Sequence, residues 1–462
     1  MEHRRAILLL VALGGGFAMG IAARWPSLAV AVALGDAMGP WWSAARADLL
    51  PPPHAAIYGG ALAWPHRAIL VGASSLWSAF AALFAVQALV APAAGLLAWR
   101  RVGRLAPAVV VGMLAALDPG LLDTTVSGSK GYLAALWIGG LAIAATARGP
   151  AAGLGPLAFG LAVANHPLAI CAAPLLALLP RTRFTAAGLV VVLPALAPQV
   201  LRVIGADAGG GGAGLAAPVQ ALGAWLSTEG AMAAALVGGL LVGARDPRTR
   251  PQALATAASL ALLLLAGGGI GYLRDHHLRL LALPALAGLA ALPGWTAWLP
   301  LLALRPPTDP VSRPSEARRP GTLGLETRLA LTLAARAERP LVVDGVWVSG
   351  APAAEPGALL LDLWLRGEPA SALAPGGAVA LVVTAERADL GALPAWPGLS
   401  EIARDDRLVV LLGSPAAARD WTAALCSRVP PPRLGGAWDG LAVLHPSLGA
   451  EAATGWLGCA GR

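Results

Sequence analysis

From Ala6 onward the chain is a succession of apolar runs separated by short polar loops. The runs lie near 6–23, 75–99, 105–118, 131–147, 152–164, 167–180, 184–204, 230–244, 252–271, 278–292 and 294–304. Runs of this kind approach the ~20 residues that carry a helix across a bilayer, so the pattern predicts about eleven helical spans. Several are shorter than a full span, as happens where helices tilt, break or meet in hairpins. The stretch 152–180 reads either as one long helix or as two short ones turning at Asn165-His166-Pro167. Proline disfavours helix in the residue before it, which favours the hairpin. The segment 278–304 poses the same choice, one helix or a hairpin broken at Pro293-Gly294.

Composition agrees with the pattern. Of 462 residues, 57% are hydrophobic and 13% charged, and mean hydropathy is +0.68, which excludes an ordinary soluble protein. The opening MEHRR runs straight into apolar sequence without a small-residue cleavage site, so it reads as a retained anchor. The net charge of +8 does not indicate nucleic acid, because the arginines cluster in short loops, where they orient helices.

Counting alternate loops from a cytoplasmic N-terminus separates the charges into two sets. One side receives His3-Arg4-Arg5, Arg100 to Arg104, Arg148, Arg181-Thr182-Arg183 and Arg245 to Arg250, the arginine bias of cytoplasmic loops. The other receives Asp36, Asp48, His54, Tyr58, His66, Arg67, Asp118, Asp123, Lys130, His166 and the run Tyr272 to Arg279. Five of the seven histidines fall on that second side. Titratable groups gathered at one membrane face mark a site. Asp36, just where the first apolar stretches return to water, is the most prominent of them. Each candidate also has a plainer reading. Asp36 can cap a helix, His166 can be a solvated turn residue, and Arg274 to Arg279 can be an interfacial anchor with snorkelling side chains. Lys130, in Ser127-Gly128-Ser129-Lys130-Gly131, lacks the spacing of a nucleotide phosphate loop.

Three of these places resemble the GT-C class of polytopic glycosyltransferases, which includes the protein O-mannosyltransferases and the lipid A aminoarabinose transferases. Asp36 stands in the first extracytoplasmic loop, where that class keeps its catalytic aspartate, here as Gly35-Asp36-Ala37 without a paired acidic neighbour. Gly160-Leu161-Ala162-Val163-Ala164-Asn165-His166-Pro167 is similar to the family's Gly-Leu-Ala stretch ending in a basic residue, with histidine where many members have lysine. Arg279-Leu280-Leu281-Ala282-Leu283-Pro284 resembles the Arg-Tyr-Leu-Leu-Pro pattern near the last spans, without its tyrosine and with the proline one residue later. The resemblance covers roughly the first 300 residues.

It implies an enzyme that takes a sugar from a polyprenyl-phosphate carrier and passes it to an acceptor at the outer face of a bacterial plasma membrane. A carboxylate would accept the acceptor's proton, and Asp36 is the candidate base. Fixed cations and donors would hold the departing phosphate and the substrates, with His54, Tyr58, His66, Arg67, Lys130, His166, Arg274, His277 and Arg279 as candidates. Partners are then membrane lipid, a polyprenyl-phosphate-linked sugar and an acceptor the sequence does not name. His276 and His277 diverge by about 100° on a helix and would not share one ion. Some members of the class use Mg²⁺ or Mn²⁺, and no metal is assigned here. The alternative is a transporter or lipid-carrier flippase, which would place polar residues near mid-membrane on broken helices.

Residues 1–305 thus read as a GT-C-like transmembrane domain and 306–321, rich in proline and arginine, as a linker. Residues 322–462 read as a small α/β accessory domain. It has a helix near 323–337, strands at Leu341 to Val348, Ala358 to Leu365, Ala378 to Thr384, Arg407 to Leu412 and Leu441 to Leu444, and a helix from Pro415 to Arg428. Arg305, Arg313, Arg318 and Arg319 argue for a cytoplasmic position of this domain. The span count, the resemblance and an even cysteine pair, Cys426 and Cys459, argue for an extracytoplasmic one.

Overall fold

The computed structural model describes residues 2–25, 76–122, 129–192, 216–269 and 275–304, then 341–348, 379–384, 397–404, 408–413, 437–444 and 456–458, with a few isolated positions between. These residues are mostly helical, and they fall into two compact units. The first comprises Met1–Pro26 with Phe84–Thr308, the second Ser27–Leu83 with Asp309–Arg462.

The helices are α1 (Glu2–Arg24), α2 (Leu76–Ala88), α3 (Val90–Val102), α4 (Leu105–Leu117), α5 (Ser129–Ala144), α6 (Leu154–Asn165), α7 (Arg183–Val192), α8 (Ala216–Arg245), α9 (Arg250–Gly269) and α10 (Arg279–Ala291). Every apolar run falls on a helix over its described residues, the run 184–204 being described only to Val192. The run 75–99 is divided by a turn at Leu89, and two runs, Pro167–Leu178 and Gly294–Ala303, are 3-10 helices. A 3-10 helix rises ~2.0 Å per residue, so twelve residues reach ~24 Å, farther than an α-helix of equal length.

Three helices among the described residues are long and apolar enough to cross a membrane: His3–Arg24, Ser78–Val102 and Arg250–Gly269. Ala216–Ser227 and Glu229–Arg245, bent by 109°, make a fourth if they form one span. The outward side chains of α1 agree with a lipid environment, since Ile7, Leu8, Leu10 and Val11 are all exposed. On α9 Leu254, Leu262 and Leu265 are exposed as well. Water would penalise such continuous apolar faces, whereas acyl chains do not.

Glycines set the packing inside the first unit. Gly16 and Gly20 of α1 face Ala91 and Ala88, and Gly95 of α3 sits where a Cβ would come 2.9 Å from the Ala108 carbonyl of α4. These contacts make α1 antiparallel to α3, and α3 antiparallel to α4. Gly140 against Ala158 and Gly155 against Ala144 make α5 and α6 antiparallel. The second half of α8 runs parallel to α10, because Gly239 meets Ala285 and Gly243 meets Gly288. Small residues are what let backbones approach so closely.

Both ambiguous stretches are broken. Helix α6 ends at Asn165, His166 is extended at φ −148° and ψ 116°, and the 3-10 segment returns so that Leu179 packs on Gly155. This is the hairpin. After α10, Pro293 is extended and Gly294 takes φ 51° before the next 3-10 segment starts.

With these directions known, the ends of the helices sort as the loop charges do. At one end Arg101 Nε donates to Gln252 Oε1 (2.7 Å), and Arg104 Nη2 donates to the Ala290 and Leu292 carbonyls (2.6 and 2.9 Å). The start of α1 lies at that end too, and the cluster of Leu97, Ala142 and Ala287 brings the end of α5, and so Arg148, to it. The opposite end holds Arg24, Asp118, Glu229, His277, Arg279 and His166.

In the second unit six strands form one mixed sheet in the order β3-β4-β2-β1-β5-β6. They are β1 (Leu341–Val348), β2 (Val379–Thr384), β3 (Leu399–Arg404), β4 (Leu408–Gly413), β5 (Ala437–Leu444) and β6 (Trp456–Gly458). β1 and β2 are parallel, with Leu341 opposite Ala380, and the other pairs are antiparallel. Four of the five strands expected from sequence fall on β1, β2, β4 and β5. Ala358 to Leu365, the helix near 323–337 and the linker lie outside the described residues, and the helix from Pro415 is described only at Ala417 and Asp420. β3 was not foreseen, because its register shifts between Glu401 and Ala403 and breaks the alternation that marks a strand.

A Cβ at Gly288 would run into the Gly239 carbonyl, while one at Gly238 meets nothing within 4 Å. Gly288→Ala should therefore cost about 1–3 kcal/mol, and Gly238→Ala should be neutral or slightly stabilising. Thermal unfolding of the two variants in the same detergent checks the difference.

Candidate functional site

The polar end is organised around Arg279, at the start of α10 and 2% exposed. Its Nη1 donates to Asp118 Oδ2 at 3.0 Å, and its Nη2 pairs with Glu229 Oε2. The Trp225 ring lies under the guanidinium, 5.6 Å from Cζ to centroid. Two carboxylates and an aromatic face thus surround one cation, the arrangement that lets a charge exist away from water.

Each partner is set by local sequence. Asp118 ends α4 in Asp118-Pro119-Gly120, and its Oδ1 accepts the backbone N–H groups of Gly120 (2.9 Å) and Leu121 (3.4 Å). Proline suits the first position of the short turn that follows. Gly120 is required by close approach, since a Cβ there would lie 2.7 Å from both Arg279 Cζ and Glu229 Oε1. Glu229 is the non-helical residue at the bend of α8, at φ −135° and ψ 29°. Its side chain is mostly buried.

A second arginine lies close by. Arg24, the last residue of α1 and fully buried, donates through Nη1 to the Gly20 carbonyl (2.8 Å) and the Ala116 carbonyl (3.3 Å). Among the described residues Arg24 and Arg279 thus gather with Asp118 and Glu229, two cations and two carboxylates whose formal charges cancel.

The histidines join from the hairpin. His166 Nδ1 accepts the Leu168 N–H at 3.3 Å, so it caps the 3-10 segment, and its ring stands 4.9 Å from the buried His277 ring. His277 precedes Arg279 by two residues, which ties the turn at His166 to the charged cluster. Lys130 lies in the first turn of α5, and the antiparallel register of α5 with α6 puts that turn at the same end.

Of the residues nominated from sequence, the structure therefore brings His166, His277 and Arg279 together, with Lys130 at the same end. Asp36, His54, Tyr58, His66, Arg67 and Arg274 lie outside the described residues, as do Cys426 and Cys459. The structure adds Arg24, Glu229 and Trp225, which sequence reasoning did not nominate, and it gives Asp118 a specific partner. A lone acid beside a long apolar run was the available signal for Glu229. Among the described residues no group of three or more His, Cys, Asp or Glu could hold a metal ion.

The arrangement can hold negative charge. Arg279 offers a planar fork suited to carboxylate or phosphate oxygens, and at present both prongs are taken by carboxylates.

The chain matches no protein-family model, no curated protein and no solved structure.

Arg279→Met would leave Asp118 and Glu229 facing each other with their shared cation gone. It should destabilise the protein by about 3–5 kcal/mol, and adding Asp118→Asn should recover part of that loss. Thermal unfolding of the single and double variants measures the coupling.

Proposed function

We propose that the protein is a membrane glycosyltransferase of GT-C type, moving a sugar from a polyprenyl-phosphate carrier to an acceptor at the outer face of a bacterial plasma membrane. The observation that carries this reading is the gathering of Arg24, Asp118, Glu229, Arg279 and the His166–His277 pair at the end of the helical unit opposite the arginine loops. A transferase working on a lipid carrier needs such chemistry at a membrane face, where headgroup and acceptor meet. A transporter would need it near mid-membrane.

In this reading the acceptor oxygen attacks the anomeric carbon as the bond from that carbon to the phosphate oxygen breaks. The phosphate leaves with the bonding electrons, and Asp36 takes the acceptor's proton. Arginine at the polar end then meets the charge that develops on the phosphate, which is where a fixed cation lowers the barrier most. The lipid tail lies among about eleven membrane segments.

Asp36→Asn should lower transfer from a radiolabelled polyprenyl-phosphate sugar by about 100- to 10,000-fold, with donor binding retained. Undiminished turnover would remove Asp36 from its role.

A further inference from the structure

We infer that Glu229 is an exchangeable counterion: it occupies Arg279 until a phosphate monoester takes its place. The inference rests on the proposed phosphate-bearing carrier and adds to it a residue that tunes how tightly the carrier is held.

The charge balance comes first. Arg24 and Arg279 are matched by Asp118 and Glu229, and all four side chains are mostly or fully buried. A phosphate entering this cluster adds negative charge beside two carboxylates in a poorly screened environment, where like charges repel strongly. Phosphate can bind well only if one carboxylate withdraws.

The geometry says which. Asp118 is 0% exposed and held by the Gly120 and Leu121 N–H groups, so its carboxylate is part of the turn that ends α4. Glu229 is 10% exposed and sits at the break in α8, where the two halves meet at 109°. A residue at a break can move by small backbone rotations that would unravel a continuous helix. Trp225, one turn before the break, covers the face of the guanidinium while Glu229 holds its edge. Exchange at the edge therefore leaves the cation–π contact in place, and Gly120 leaves no side chain between Arg279 and Glu229. The second prong of Arg279 is in this way built to change partners, and the first is not.

The test uses the full chain in detergent micelles with farnesyl phosphate, farnesol and inorganic phosphate as probes. Glu229→Gln keeps a hydrogen-bonding side chain of equal size but removes the competing charge. It should bind farnesyl phosphate about 10- to 100-fold more tightly than the unaltered protein, with farnesol affinity unchanged. Inorganic phosphate should gain as much if the headgroup alone is recognised, and less if the isoprenoid tail is needed to deliver it. Glu229→Asp, which keeps the charge but shortens its reach, should fall between, and it carries the test should Glu229→Gln not fold. Equal or weaker farnesyl phosphate binding by both variants, a parallel change for farnesol, or no binding by any of the proteins would overturn the inference. Tighter binding by Glu229→Gln in a chain that transfers no sugar would sink the transferase reading and leave the exchange standing. Transfer that depends on Asp36, with phosphate affinity indifferent to residue 229, would do the reverse.

Discussion

The polar end of the helical unit depends on one buried cation. Arg279 opens α10, Asp118 closes α4, Glu229 stands at the break of α8, and a single guanidinium joins all three. A cation in such surroundings costs several kcal/mol to desolvate, and the cost is offset only while both carboxylates and the Trp225 ring remain in reach. The helices that supply these groups are therefore bound to one another at this end by electrostatics. Elsewhere they are joined by close glycine contacts, by an apolar core and, at the far end, by the Arg104 hydrogen bonds to Ala290 and Leu292.

Those contacts explain why the cluster can be so compact. Gly120 lets Arg279 and Glu229 close on each other. Gly239, Gly243 and Gly288 let α8 and α10 run side by side with backbones nearly touching, which aligns Glu229 with the start of α10. Within lipid there is no hydrophobic drive to press helices together, so close backbone packing and polar contacts must do it. The same unit uses both, distributed along its length.

Much of this was legible in the sequence, and the failures have physical causes. Apolar runs marked the helices, and arginine loops separated the two ends, because the bias that orients helices acts on residues at their boundaries. His166 and Arg279 stood out as polar residues next to proline or apolar sequence, and His166 does form the turn of a hairpin. Arg24 and Glu229 did not stand out. Arg24 reads as the ordinary charged end of a first span, and Glu229 as the polar lead into the run 230–244. Only the bend of α8 and the close approach at Gly120 turn Glu229 inward, and Arg24 is held by the Gly20 and Ala116 carbonyls. Bends and breaks leave little periodic trace, which is also why β3, with its register shift, went unseen.

A buried ion cluster is a poor way to gain stability, since apolar side chains of similar volume often do as well or better. What it offers instead is a balanced set of charges in which an entering anion has to compete with a carboxylate already in place. With two cations and two anions in balance among the described residues, the proposed exchange has an entering anion displace a carboxylate that sits at the bend of a helix. Affinity for the anion and the geometry of α8 are then linked, and the linkage is reciprocal. Under the proposed exchange, whatever favours withdrawal of Glu229 tightens the hold on phosphate, and phosphate, once bound, favours the withdrawn form.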